Sequence, residues 1–323
     1  MRRSYIQNRN EEKTLSRRSE EKARALERLV AAYRARDRVL CAGLAPEDAE
    51  AVERRGAEVA RRVRYVAAAE RLMPLARAAI LEADRAGRVF PSGVAWWAGR
   101  LRGAKGRMDR AWWAPRGGIY LCLALVPRLL AEHWGLYGLG MGVAVCEVLR
   151  EWGVPARIRW VNDILVGGRK AAGLLAEGLT APGSGQPYLL LGLGLNVNAR
   201  RFPPEAPEAT SLRRVTGRRW PIAPLAAHIL ARAGHVVGLL HHWEAGWLLE
   251  GPEAAPANPV VRAWRGLSDT LGRRVVYGLD AERAPEGTGL ARDVAEDGAL
   301  LLRLEDGVEL RVETGEVRYL GPA

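Results

Sequence analysis

The chain has 323 residues and is 48% apolar, which leaves room for one large domain and a smaller one. Its three cysteines, Cys41, Cys122 and Cys146, lack close metal-type spacing and read as reduced or buried thiols. No charge-free apolar run approaches the roughly 18 residues that span a bilayer, and Met1-Arg2-Arg3-Ser4-Tyr5 lacks a signal-peptide core, so neither export nor membrane spanning is expected and a cytoplasmic location is.

The net charge of +12 is unevenly placed: residues 1–40 hold twelve Lys or Arg against six Asp or Glu, half the surplus in about an eighth of the chain. Leu26, Leu29, Val30 and Tyr33 fall at helical spacing. Residues 1–60 are therefore expected to form a basic N-terminal extension, either a solvated amphipathic helix or a partly disordered segment. No helix-turn-helix is recognisable in it, and nucleic acid is not the expected partner. Over 61–250, helices at about 66–87, 137–152 and 221–243 are expected to flank strands at about 93–98, 118–126, 157–166, 171–178 and 188–197. That pattern predicts a mixed β-sheet with helices packed against it.

Between the first two of these strands lies GAKGRMDRAWWAPRGG (103–118). It sets Lys105, Gly106, Arg107 and Arg110 in a glycine-containing loop ahead of Trp112. Glycines let backbone N–H groups approach an anion, and the neighbouring cations can neutralise a phosphate; a mobile solvated loop would have the same composition. Further on, RIRWVNDILVGGRKAAG (157–173) alternates up to the turn-forming Asn162-Asp163 and then runs through Ile164-Leu165-Val166 into Gly167-Gly168. Two glycines there suit a tight hairpin. Asp163 and Lys170 can then face each other across it and bracket a ligand, or stand as a solvated pair on a surface hairpin. Some twenty residues later LLLGLGLNVN (189–198) is an apolar strand punctuated by Gly192 and Gly194 and followed by Asn196.

Gly-Pro-Glu-Ala-Ala-Pro-Ala-Asn-Pro (251–259) is too rich in proline to continue a helix and reads as a linker. Beyond it, Arg274–Gly278, Gly289–Val294, Ala299–Leu304 and Val308–Val312 read as short strands separated by turns. Residues 259–323 are expected to form a small C-terminal β-barrel, which makes the fold class α+β.

Taken in order, these motifs resemble the biotin–protein ligase family of the biotin/lipoate ligase superfamily. The matching pieces are GAKGRMDRAWWAPRGGIYLCLAL (103–125), RWVNDILVGGRKAAGLLAEG (159–178), LLLGLGLNVN and ATSL (209–212), with WRGLSDTLGRRV (264–275) and DGALLLRLEDG (297–307) in the C-terminal part. The resemblance implies an enzyme that couples biotin to ATP, forming biotinyl-adenylate and pyrophosphate. It then passes the biotinyl group to a lysine of a biotin carboxyl carrier protein domain. ATP, Mg²⁺ and biotin are the implied ligands. Lys105, Gly106 and Arg107 would lie in the loop that closes over the adenylate, with Arg110 near the phosphate or adenine and Trp112 closing the loop against the core. Lys170 would contact the reacting carboxylate and α-phosphate, Asp163 would orient the chemistry or help bind Mg²⁺, and Asn162 would support that turn. Gly192 and Gly194 would let the strand backbone pass close to the ligand, and Asn196 would approach the adenine.

The departures cluster at positions that read biotin. Arg71 and Leu72 stand where the family has a Ser-Thr pair, Leu101 where it has a Gln that holds the ureido ring, and Ala104 and Lys105 where it has the first Gly and Arg of the loop. A site built on hydrogen bonds loses strongly without them. Three outcomes stay open: the acid differs, other groups read the ureido ring, or activity has decayed. The alternative to a ligase is thus a catalytically silent or altered-specificity relative that binds another acid, a protein partner or nucleic acid. The winged helix that some members carry is not recognisable here, and a homodimer is left open.

Overall fold

The computed structural model describes residues 2–41, 43–251, 254 and 256–321; of the linker, 252, 253 and 255 lie outside the described residues. In chain order come α1 (Arg2–Asp37), α2 (Pro46–Gly56), β1 (Arg62–Val66), α3 (Leu72–Arg85), β2 (Val94–Ala98), β3 (Ile119–Leu125) and α4 (Gly135–Glu151). There follow β4 (Ala156–Arg159), β5 (Asp163–Val166), β6 (Arg169–Thr180), β7 (Pro187–Leu195), α5 (Leu212–Thr216) and α6 (Ile222–Glu250). The C-terminal part holds α7 (Pro259–Leu267), β8 (Arg274–Gly278), β9 (Gly287–Val294), β10 (Leu300–Arg303), β11 (Glu309–Val312) and β12 (Glu316–Tyr319).

Seven strands form one mixed sheet in the order β1-β2-β3-β7-β6-β5-β4, parallel only between β1 and β2. Every residue of β2 and β3 is buried because both faces of the sheet are covered. Leu121, Leu123, Leu191 and Leu193 pack with α4 and α6, while Trp96, Cys122 and Leu190 turn the other way onto Leu72, Met73, Ala76 and Ile80 of α3. The side-chain alternation of each central strand thus serves two cores. The cysteines are free and buried, as expected.

The helix expected at 66–87 starts only at Leu72, because the alternating Arg-Val-Arg-Tyr-Val segment forms β1 at the sheet edge. Helix α6 runs to Glu250. Its length and hydropathy would suffice to cross a bilayer, but it is a core helix, apolar nearly all round and covered by α1, α2 and α4. Ala23, Leu26 and Val30 of α1 are buried in the main core. The C-terminal end of α1 is clasped: His228 stacks on Tyr33 with centroids 4.4 Å apart, and Arg232 bonds Asp37 at 3.0 Å, Glu147 at 2.9 Å and Glu151. Asp37, Glu151 and His228 come together closely enough to suggest a metal cluster, but the Arg232 guanidinium already supplies the counter-charge there.

The C-terminal strands form a five-stranded antiparallel sheet in the order β11-β10-β9-β8-β12. This corrects the expected barrel: the outer strands β11 and β12 do not pair with each other, so no closed barrel forms among the described residues. Each is only four residues long; β11 buries none of its side chains fully and β12 buries only Val317. The α+β class stands.

Candidate active site

The β5–β6 hairpin is closed by Gly167 and Gly168 at φ +58° and +72°, the left-handed conformations a two-residue turn needs. A bulge at Ile164/Leu165 shifts the register, and the Lys170 ammonium comes to 2.6 Å from Asp163 Oδ1. Arg159 donates to the other oxygen, Oδ2, at 2.8 Å. Asp163 is buried, and burial alone would raise its pKa; the two cations outweigh this and hold the carboxyl below the usual carboxylate range. The backbone of Lys170 is fixed as well: its N–H donates to Glu208 O at 3.0 Å, and Thr210 N–H donates to its carbonyl at 2.9 Å.

A pH dependence follows. A carboxyl whose folded pKa lies below the unfolded value of about 3.9 contributes stability above that pH, and the contribution is lost as pH falls through the folded value. Denaturant titrations at pH 6 and pH 3 should therefore show the wild type losing more stability on acidification than Asp163→Ala does. Equal losses would count against the ion-paired Asp163.

Opposite Lys170 stands Trp112. A Cβ on Gly194 would lie 2.6 Å from the indole Nε1, and one on Gly173 would lie 3.3 Å from the ring, so the two strands make room for this side chain by omitting their own. The Lys170 ammonium sits 5.6 Å from the ring centroid. The Trp112 N–H is buried without a partner. Gly192 faces the same side, where a Cβ would meet Met73 Sδ at 3.2 Å.

The segment before Trp112 is a tight hairpin, with Gly106 N–H donating to Arg110 O at 2.8 Å and Arg110 N–H to Arg107 O at 3.1 Å. Met108 and Asp109 at its tip have φ +51° and +55°, a left-handed conformation that costs non-glycine residues energy. Lys105 is exposed and pairs with Asp109 at 2.9 Å, a surface contact of little worth. Arg110 reaches the C-terminal sheet, bonding Asp280 at 2.8 Å and Glu316 at 2.6 Å. Arg107 differs from both. It is half-buried, no carboxylate is in ion-pairing reach among the described residues, and burial lowers its pKa against partial compensation by Glu316 and Asp163. A guanidinium stays charged even so.

Arg107, Asn162, Leu175, Gly192 and the Glu313-Thr314 turn line a cavity of about 350 Å³. Asn162 is held by its own amide, which donates to Leu174 O at 2.7 Å. Asn196, only 3% exposed, uses its backbone on Ala171 and Leu212 but leaves Oδ1 without a donor. Buried polar atoms are normally paired, so the Asn196 oxygen and the Trp112 N–H, among several such atoms in the described residues, are each free to take a partner.

The structure thus brings Lys170, Asp163, Trp112, Gly194 and, at the cavity, Arg107, Asn162 and Gly192 into one region. Lys105 stays at the surface, and Arg110 is taken up by carboxylates. Both oxygens of Asp163 face cations, and the neighbouring Glu208 carboxylate is itself paired with Arg159 at 3.6 Å, so the carboxylates here already carry cationic partners, a poor fit for a hard cation such as Mg²⁺. Arg159, Gly173 and the backbone of Glu208 and Thr210 belong to the site although sequence reasoning gave them no role. Arg159 was legible as the residue four before Asp163 across a turn; Gly173 was one more small residue in an apolar strand. Leu72 is buried at the head of α3 among apolar neighbours, Arg71 makes no capping bond, and Leu101 bridges the Ala69 backbone, so none supplies a hydroxyl or amide there.

Sequence comparison matches residues 96–196 to the Biotin/lipoate A/B protein ligase family and residues 270–318 to the Biotin protein ligase C terminal domain. A biotin--[acetyl-CoA-carboxylase] ligase of Mycobacterium tuberculosis is 33% identical over 224 residues, 67% of this chain and 75% of that protein. The bifunctional ligase/repressor BirA of Bacillus subtilis is 27% identical over 226 residues, 68% of this chain; the match spans 64% of that relative's own length. Among solved structures, a biotin protein ligase from Aquifex aeolicus in complex with biotin and ATP superposes with a TM-score of 0.61 at 22% identity, covering 80% of this chain and 98% of that one. That likeness bears on the fold.

Proposed function

This chain belongs to the biotin protein ligase family, and from that premise we propose that it activates biotin with ATP and transfers the biotinyl group to a lysine of a carboxylase carrier domain. The observation that carries this reading is the pairing of an oriented cation, Lys170, with a half-buried and unpaired one, Arg107, beside a cavity edged by glycine backbone.

Attack of the biotin carboxylate oxygen on the α-phosphorus brings two anions together. It forms the acyl–phosphate bond, breaks the bond to the β-phosphate and releases pyrophosphate. Lys170 and Arg107 supply the positive charge that this step needs. Asp163 aims Lys170 and stays ionised. With its pKa lowered and both oxygens engaged, it is a poor proton acceptor, which argues against it as the base for the incoming amine. In the second step the lysine nitrogen attacks the acyl carbonyl and AMP leaves. The Asn196 Oδ1 suits an exocyclic amine of adenine as donor, and the Trp112 face suits its ring. In this reading residues 61–250 carry the chemistry, and the sheet within 259–323 steadies the loop through Arg110. No step is assigned to a protein-bound Mg²⁺.

The reading is tested by incubating the protein with ATP, Mg²⁺, biotin and a carboxyl carrier domain, followed by intact mass. A biotinylated acceptor lysine is expected; an unmodified carrier after prolonged incubation would refute the transfer step.

Two further results are expected at this site. Arg107→Ala should speed release of the adenylate by about tenfold while shifting stability little, because Arg107 has no protein partner to strand and the loop stays pinned through Arg110 on Asp280 and Glu316. Unchanged adenylate dissociation would contradict its role. Biotin alone should bind more weakly than to a ligase with the full polar set. Each missing hydrogen bond costs about 1–3 kcal/mol, so two or three losses weaken affinity on the order of a hundredfold. Titration calorimetry giving a submicromolar Kd would show that other groups read the ureido ring.

A further inference from the structure

A second cavity, of about 460 Å³, opens past the end of β7 and is lined by Arg116, Arg213 and Arg219. No carboxylate is in ion-pairing reach of any of the three among the described residues. Its floor is rigid: the Asn198 amide donates to Trp220 O at 2.9 Å while Trp220 N–H donates back to Asn198 Oδ1 at 2.9 Å, and the Trp220 indole is fixed on Thr216 at 2.9 Å. Arg213 and Asn198 are further tied by backbone bonds to Val197 and Gly117. Ile222, the first residue of the 29-residue α6, stands at the rim, and that helix start has neither a side-chain cap nor an acidic residue in its first turn.

We propose that this cavity is a phosphoanion site, with room for a pyrophosphate group and separate from Lys170. Three permanently charged guanidiniums around one concavity, those of Arg116 and Arg219 exposed, repel one another, and a cleft of single-sign charge concentrates the opposite ion. Guanidinium presents paired N–H donors that match phosphate oxygens, and the positive end of α6 adds a contribution of the same sign. The ligand is either free pyrophosphate or the phosphate tail of a nucleotide. The site does not depend on the ligase reading, and binding can be measured without turnover.

Inorganic pyrophosphate is titrated into the full chain, without biotin or ATP, for the wild type, Lys170→Ala and Arg213→Gln/Arg219→Gln. Wild type and Lys170→Ala should bind alike, and the double variant at least about tenfold more weakly with an unchanged melting temperature. Arg219→Gln alone, at an exposed position, should weaken binding about threefold and carries the test if the double variant does not fold. Competition by ATP in the Lys170→Ala background would assign the site to nucleotide phosphates, and lack of competition to the free anion; either outcome supports it. Absence of binding to the wild type, undiminished binding by the arginine variants, or loss of binding in Lys170→Ala would overturn it.

Discussion

Lys170→Ala is expected to cut acyl-adenylate formation by about a hundredfold to a thousandfold, since a preorganised donor aimed at developing charge is worth about 3 kcal/mol. The protein should stay folded. The Lys170 side chain is 30% exposed, so little packing is lost, and Arg159 remains on the opposite oxygen of Asp163 as counter-charge. Pyrophosphate release would be measured beside a thermal melt. A near wild-type rate would remove Lys170 from the chemistry, and loss of the melting transition would make its role structural instead.

Asp163→Ala should do the opposite, damaging stability first. It leaves Lys170 and Arg159 side by side with only the exposed Glu208, 3.6 Å from Arg159, as counter-charge, and losing one partner of a buried charge cluster costs about 3–5 kcal/mol. Because Lys170 reaches solvent and can turn away, the lower end of that range applies. Arg159 is more deeply set, its side chain 16% exposed and 5.8 Å from the Tyr319 ring. Urea unfolding measures this directly. A loss below about 1 kcal/mol would mean that the triad is solvated and relaxes freely.

Much of this arrangement was legible where the period is short. The alternation into Asn162-Asp163 and the Gly167-Gly168 turn fixed the β5–β6 hairpin, and with it the meeting of Asp163 and Lys170. β1 could have been read too, since Arg-Val-Arg-Tyr-Val alternates, but the helical composition on both sides concealed it. Contacts between distant segments left no local signal. Arg110 finds Asp280 and Glu316 across 170 and 206 residues, and the openness of the C-terminal sheet depends on which strands meet. The docking of Leu26 and Val30 had an indirect trace, because a helix as apolar all round as α6 must be covered by something. At the glycines, sequence pointed to close approach of a ligand; in the structure the group that approaches Gly194 is the Trp112 indole.

The account rests on chemistry at the α-phosphate, and one measurement reaches it most directly. The full chain is mixed with ATP, Mg²⁺ and biotin in the absence of any acceptor, with lipoate and octanoate in parallel, and the products are followed by mass spectrometry. Biotinyl-adenylate and an equal amount of pyrophosphate should form in the wild type and fail to accumulate in Lys170→Ala. Adenylate from lipoate or octanoate but not from biotin, or no adenylate from any of the three, would contradict it.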